Sequence, residues 1–335
     1  MVRHTLKHSK RPLLVAGHGI RIAKAQEELL KLELPLVTTF NGFDLVPNDH
    51  PYFVGRIGSL GTHGGNHALK TADLVIFVGT RNNMRQISFD WKTFCPQAET
   101  FIVDIDDAEL HKYKSKGICC DAKDFLKDLL KIGYKCNPEW LQTLKKYDQE
   151  NPTELTPPYK FIHDLTSKLP NDAIVVCGIG TACIAMFQAG IVKKGQRIFW
   201  NSGCATMGYD LPASIGACLA SGKEVICITG DGSIQMNLQE FQTIKHYKLP
   251  IKTFVLNNNG YRSIKLTQSN YFKGDFIGCD ERSGVSFPSL KKLANLYDLK
   301  YYLGYDKLEE ILYYPYATLC EVMIGDNYIF QKGLV

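Results

Sequence analysis

Short apolar runs bounded by glycine alternate along the chain with longer segments whose apolar residues recur at helical spacing. Residues 12–17 predict a strand, and 20–32 predict a helix with Ile22, Ala25, Leu29 and Leu30 on its apolar side. Strands follow at 36–40, 73–79 and 100–105. Leu74–Val78 is apolar at every position, as expected of a parallel strand covered by helices on both faces. The stretch 133–158 differs. It holds Pro138, Pro152, Pro157 and Pro158 around a short amphipathic helix carrying Trp140, Leu141, Leu144 and Tyr147. A linker is expected there. A second series then begins, with strands at 173–177, 197–200, 225–229, 251–256 and 318–324. Helices at 181–188, 211–219 and 238–247, and one within 287–297, separate them. The pattern predicts an α/β protein of two doubly wound, parallel-sheet (Rossmann-like) domains, 1–132 and 159–335.

Composition narrows the class. With 45% apolar and 22% charged residues, the chain is that of a globular protein able to fill two cores. The net charge of +5 is spread thinly, apart from a basic start at Arg3, Lys7, Lys10 and Arg11. This speaks against a nucleic-acid partner. Residues 13–16 are too short for a secretory core or a membrane span. An odd total of 11 cysteines, with no CxxC pair, fits a reducing compartment. A soluble, cytoplasmic protein is expected.

Two strand ends carry the candidate chemistry. The strand at 225–229 runs into Gly230-Asp231-Gly232-Ser233, and the strand at 251–256 runs into Asn257-Asn258-Asn259-Gly260. Residues 233–256 separate the two motifs, enough for one helix and one strand, so neighbouring strands deliver both motifs to one edge. Ligands of open parallel sheets bind at that edge. A carboxylate, an amide oxygen and a backbone carbonyl are hard donors suited to Mg²⁺ or Ca²⁺, with diphosphate oxygens completing an octahedron. Glycines beside the acid let backbone N–H groups approach phosphate. Two ordinary βα turns would use the same residue types.

Gly-Asp-Gly followed at this spacing by Asn-Asn resembles the signature of thiamine-diphosphate enzymes. Residues 203–217 (GCATMGYDLPASIGA), 230–241 (GDGSIQMNLQEF) and 256–261 (LNNNGY) resemble acetolactate synthases in particular. The resemblance implies Asp231, the Asn258 side chain and the Gly260 carbonyl as ligands of Mg²⁺. It places Gly230, Gly232, Ser233 and Tyr261 near the diphosphate, and Gly178, Gly180 and Thr181 on another loop that reaches the cofactor. Met207 matches the apolar residue that props thiamine into its bent form.

Residues 11–130 resemble the family's central domain, which in acetolactate synthases holds FAD. The matching pieces are 16–20 (AGHGI), 38–42 (TTFNG), 60–64 (LGTHG), 79–85 (GTRNNMR) and 104–106 (DID). They imply an FAD site using Gly17, Thr39, His63, Gly79, Arg81 and Asp104, with Arg81 and Arg85 toward the diphosphate. A spacer domain without ligand is the other reading.

The family's pyrimidine-binding domain and its activating Glu have no counterpart in these residues, so no catalytic residue is assigned. Glu240 reads as a helix-face residue. The resemblance implies decarboxylation of a 2-keto acid such as pyruvate, followed by carboligation. A separate pyrimidine-domain chain would complete the site, within a homo-oligomer or a hetero-complex. A truncated, catalytically silent subunit that still binds the cofactor is the alternative. Thr267 stands where acetolactate synthases carry a Trp that favours their acceptor, a departure from strict acetolactate synthesis. The stretch 260–288 resembles acetolactate-synthase-like proteins found with surface-sugar biosynthesis, which implies an unusual acceptor.

Overall fold

The computed structural model describes residues 1–88, 93–112, 115–325, 328 and 330. They form two compact units, Met1–Glu154 and Leu155–Phe330.

In the first unit, strands β1 (Pro12–Ala16), β2 (Leu36–Thr38), β3 (Phe53–Arg56), β4 (Leu74–Val78), β5 (Glu99–Asp104) and β6 (Lys116–Cys119) form one sheet. Its order is β3-β2-β1-β4-β5-β6 and every pairing is parallel. The central strands β1 and β4 are buried at every residue. Alternation splits their side chains between two cores. Leu14, Ala16, Ile76 and Val78 pack with Phe125, Leu126 and Leu129 of the helix Ala122–Lys131. Leu13, Val15, Val75 and Phe77 pack with Ala68, Leu69, Trp140 and Leu144. Trp140 and Leu144 belong to the helix Pro138–Glu150, which lies in the stretch expected as a linker. That helix packs on the first unit, and the Trp140 indole donates to the Pro12 carbonyl at 3.2 Å.

The helix expected over 20–32 is broken. Two short helices, Gly19–Ile22 and Gln26–Leu29, replace it. Lys24, at φ 52°, sits in the left-handed region and ends the first. Ile22, expected on the buried side, is 72% exposed.

Asp73 latches the entry of β1 to that of β4. Its carboxylate accepts from the Lys10 and Arg11 amides, both at 3.0 Å, and from the Ser9 hydroxyl. Burial pushes its pKa up, but these hydrogen bonds and the Arg11 charge outweigh burial and hold it below the ordinary value. A depressed folded pKa means the contribution is complete above the unfolded value, near 4. It is lost as pH falls through the lowered folded value. Asp73→Ala is expected to cost about 1–2 kcal/mol at pH 7. Urea unfolding at pH 7 and pH 3 checks this, because the gap between variant and parent must shrink at the lower pH.

The second unit repeats the plan. Strands β7 (Ile174–Cys177), β8 (Arg197–Phe199), β9 (Val225–Gly230), β10 (Ile251–Asn257), β11 (Lys300–Leu303) and β12 (Thr318–Met323) run parallel in the order β11-β12-β10-β9-β7-β8. Val176, Cys227, Val255 and Leu319 pack with Leu211, Phe241 and Ile244 in one core. The pairing of β9 with β10 sets Gly230 beside Leu256, so the residues after each strand emerge together. Among the described residues, no helix is long and apolar enough to cross a membrane.

Candidate functional site

Asp231 follows β9 and is only 4% exposed. Its backbone N–H donates to the Leu256 carbonyl at 3.2 Å, continuing the β9–β10 ladder into the loop. One carboxylate oxygen accepts the Gly232 amide at 2.9 Å. The other accepts the Asn258 and Gly260 amides, each at 3.1 Å. Asp231 thus folds the Asn258–Gly260 loop around itself. Burial pushes its pKa above the ordinary carboxylate value, and the amides oppose that only in part. Among the described residues no basic side chain pairs with it. A buried acid in this state favours a cation beside it.

The two asparagines have different tasks. Asn257 donates its amide to Glu321 on β12 at 2.6 Å, and its oxygen accepts the Asn259 amide at 2.9 Å. Asn258 donates its amide to the Tyr328 hydroxyl at 3.4 Å. The Asn258 Oδ1 atom is buried and has no hydrogen-bond partner among the described residues. An orphaned buried acceptor is costly. A divalent cation would satisfy it. No group of three or more His, Cys, Asp or Glu side chains forms a metal cluster among the described residues. The donors at this edge, the Asp231 carboxylate, Asn258 Oδ1 and the Gly260 carbonyl, are oxygens of the hard class.

The glycines are where the loops touch. A Cβ on Gly260 would lie 2.2 Å from the Cys279 carbonyl oxygen, because residues 260 and 280 form an isolated bridge. A Cβ on Gly232 would lie 2.2 Å from the Tyr261 ring, which covers it. Gly180, at φ 65°, caps the helix Thr181–Ala189. The Thr181 hydroxyl meets the Tyr328 hydroxyl at 2.7 Å. A cleft of about 410 Å³ opens beside Asn258 and Gly260, with Arg262, Lys265 and Arg282 on its walls.

Beneath these loops lies Asp210, fully buried, for which the sequence reading had no role. It accepts the Ser233 hydroxyl at 2.8 Å and the Leu211 amide at 3.0 Å. The Ser233 oxygen in turn accepts the Gly208 amide at 2.9 Å. A Cβ at 178 would lie 2.4 Å from Asp210 Oδ2 and would displace that carboxylate. Burial pushes the Asp210 pKa up, opposed by the Ser233 and Thr229 hydroxyls and the Leu211 amide. Asp210 and the Ser233 hydroxyl thus tie the loop carrying Met207-Gly208 to the loop carrying Ser233, and Gly178 packs close to the same carboxylate. The Ser233 side chain is committed inward. Half-buried Met207 stands one residue before Gly208, at φ 78°. A lone acid in the first turn of the otherwise apolar helix Asp210–Ser221 was the available sequence signal.

In the first unit, Gly17, Thr39, Gly79 and Asp104 stand at the carboxyl ends of β1, β2, β4 and β5. His63 opens the helix His63–Thr71, and its Nδ1 is buried without a partner among the described residues. Gly17 and Gly79 close on each other, as the Gly19 amide donates to the Gly79 carbonyl at 3.0 Å. Arg81 is paired with Glu109 at 3.2 Å, and the Arg85 guanidinium lies 5.5 Å from the Phe40 ring centre. The Arg81 pair uses only Nε, and its side chain is largely exposed.

Residues 2–129 match the family described as "Thiamine pyrophosphate enzyme, central domain". Residues 178–313 match "Thiamine pyrophosphate enzyme, C-terminal TPP binding domain". The chain is 32% identical over 316 residues to the acetolactate synthase large subunit of Cyanidium caldarium, covering 88% of this chain and 53% of that one. It is 32% identical over 292 residues to the acetolactate synthase isozyme 1 large subunit of Escherichia coli K12, covering 83% and 52%. A probable acetolactate synthase large subunit of Methanocaldococcus jannaschii is 32% identical over 325 residues, covering 88% and 53%. The chain spans about half the length of the curated relatives it matches.

Proposed function

The chain belongs to the thiamine pyrophosphate enzyme family, and on that premise we propose that its second unit anchors thiamine diphosphate through Mg²⁺ for acetolactate-synthase-like chemistry. The observation that carries this is Asn258 Oδ1, buried and unpartnered beside an acid without a counter-charge. Asp231, Asn258 and the Gly260 carbonyl would hold the cation. Gly232, the Ser233 amide, Tyr261 and the Gly178–Thr181 loop would face the diphosphate, and Met207 the thiazolium. When bound, thiamine diphosphate supplies the electron sink for decarboxylation of a 2-keto acid and transfer of the resulting acyl carbanion. The residues of this chain contribute position and charge: Asp231 shapes the metal loop, and Asp210 holds the Gly208 and Ser233 loops together through the Ser233 hydroxyl.

The proposal includes a pyrimidine-binding domain supplied from outside residues 1–335, on the same polypeptide or on another chain. An assembly of two or more chains is part of it. Exposed Tyr271, Phe272 and Ile277 support such an interface. FAD in the first unit is a finer part of the reading. His63 Nδ1 supports it.

Calorimetry tests the core of the proposal. Thiamine diphosphate is expected to bind in the presence of Mg²⁺ and to be released by a chelator. Binding that a chelator leaves unchanged would refute the metal assignment. CO₂ release from pyruvate is expected only once a pyrimidine domain carrying its Glu is present.

A further inference from the structure

Tyr328 lies beyond the residues matched to the family's cofactor-binding domain, which end at 313. It is nevertheless 3% exposed, with its hydroxyl between Thr181 Oγ1 at 2.7 Å and Asn258 Nδ2 at 3.4 Å. These partners come from two different loops of the cofactor site, 147 and 70 residues away in sequence. Arg262 fixes the tyrosine from the other side. Its guanidinium donates to the Tyr328 carbonyl at 2.9 Å and lies 5.5 Å from the ring centre.

An asparagine amide has an acceptor at one end and a donor at the other, and a half-turn exchanges them. Only the oxygen end can bind a cation, since the NH₂ end would repel it. We infer that Tyr328 is a positioning residue of the metal site: its hydroxyl accepts the Asn258 NH₂ group and so keeps Asn258 Oδ1 turned toward the cation. The inference rests on the metal reading given above. The tyrosine oxygen has lone pairs for Asn258 and one proton that can pass to Thr181, so the Thr181–Tyr328–Asn258 chain is satisfied with Asn258 Oδ1 left over. Groups that orient a ligand in this way affect affinity without touching the metal.

Tyr328→Phe removes the hydroxyl and keeps the ring under Arg262. In the presence of saturating thiamine diphosphate, calorimetric titration with Mg²⁺ is expected to show affinity about 10- to 100-fold weaker than the parent chain. The melting temperature without metal should fall by a few degrees, since Thr181 and Asn258 lose a buried partner, so both chains are titrated well below it and the affinity ratio is read on folded protein. A second readout needs no cofactor. The Asn258 side-chain amide protons, assigned by their loss in Asn258→Ser, should exchange with solvent faster in Tyr328→Phe than in the parent. Equal Mg²⁺ affinity in the two chains would overturn the inference while leaving the cofactor reading intact. Tighter affinity would also overturn it, since the tyrosine would then obstruct the site instead of building it. Failure of the parent chain to bind Mg²⁺ with thiamine diphosphate would sink the cofactor reading and this inference together.

Discussion

Asp231→Ala is expected to weaken Mg²⁺-dependent binding of thiamine diphosphate by about 100-fold or more, roughly 3 kcal/mol. Two effects add. The cation loses its only carboxylate ligand in the proposed set, and the Gly232, Asn258 and Gly260 amides lose the acceptor that folds the loop. The fold itself should survive. The β9–β10 ladder continues through the Asp231 backbone N–H, which the substitution keeps. Asn258→Ala should lose a similar share of affinity. Asn257→Ala should bind nearly as the parent does, because its side chain faces Glu321 on β12 and not the site. Calorimetry on the three variants decides. Unchanged affinity in Asp231→Ala, or equal losses at the two asparagines, would contradict the arrangement.

Gly17→Ala is expected to destabilise the first unit by about 3 kcal/mol. The added Cβ would lie 2.1 Å from the Gly79 carbonyl oxygen and 2.6 Å from its carbon. Both neighbours are backbone, so neither can swing aside. They belong to the two loops that meet where the strand order reverses, between β1 and β4. Gly216→Ala makes the opposite case. It lies inside the helix Asp210–Ser221, a Cβ there meets nothing within 4 Å, and the change should stabilise by up to about 1 kcal/mol. Chemical denaturation separates the outcomes. A Gly17→Ala midpoint equal to that of the parent would refute the close-approach argument.

The interior strands were legible because they are buried on both faces and so carry continuous apolar runs. β1, β4, β9 and β10 show this. The strands that sequence pattern missed, β3, β6 and β11, are all sheet edges. β6 (KGIC) has mostly exposed side chains, and β11 (KYYL) buries one residue of four. β3 contains Gly55 and a buried Arg56, neither of which reads as strand. An edge strand packs fewer neighbours and so needs less apolar sequence. The broken helix at 20–32 has another cause, because the backbone turns at Lys24 without a glycine or proline to mark it.

By itself the sequence determined two parallel-sheet α/β units and a pair of neighbouring strand ends bearing Asp231 and Asn258. Those are properties of local pattern: apolar period, turn residues and the length of chain between two motifs. Tertiary structure alone decided that Asn257 turns to Glu321 on β12, that Asp210 holds Ser233 from below, and that Tyr328 joins the Asn258 loop to Thr181. Each of these depends on which buried polar atom finds a partner. Those partners lie 23 to 147 residues apart along the chain. Burial makes each pairing obligatory, since an unpaired polar atom there is costly, but only the folded backbone brings the partners within reach.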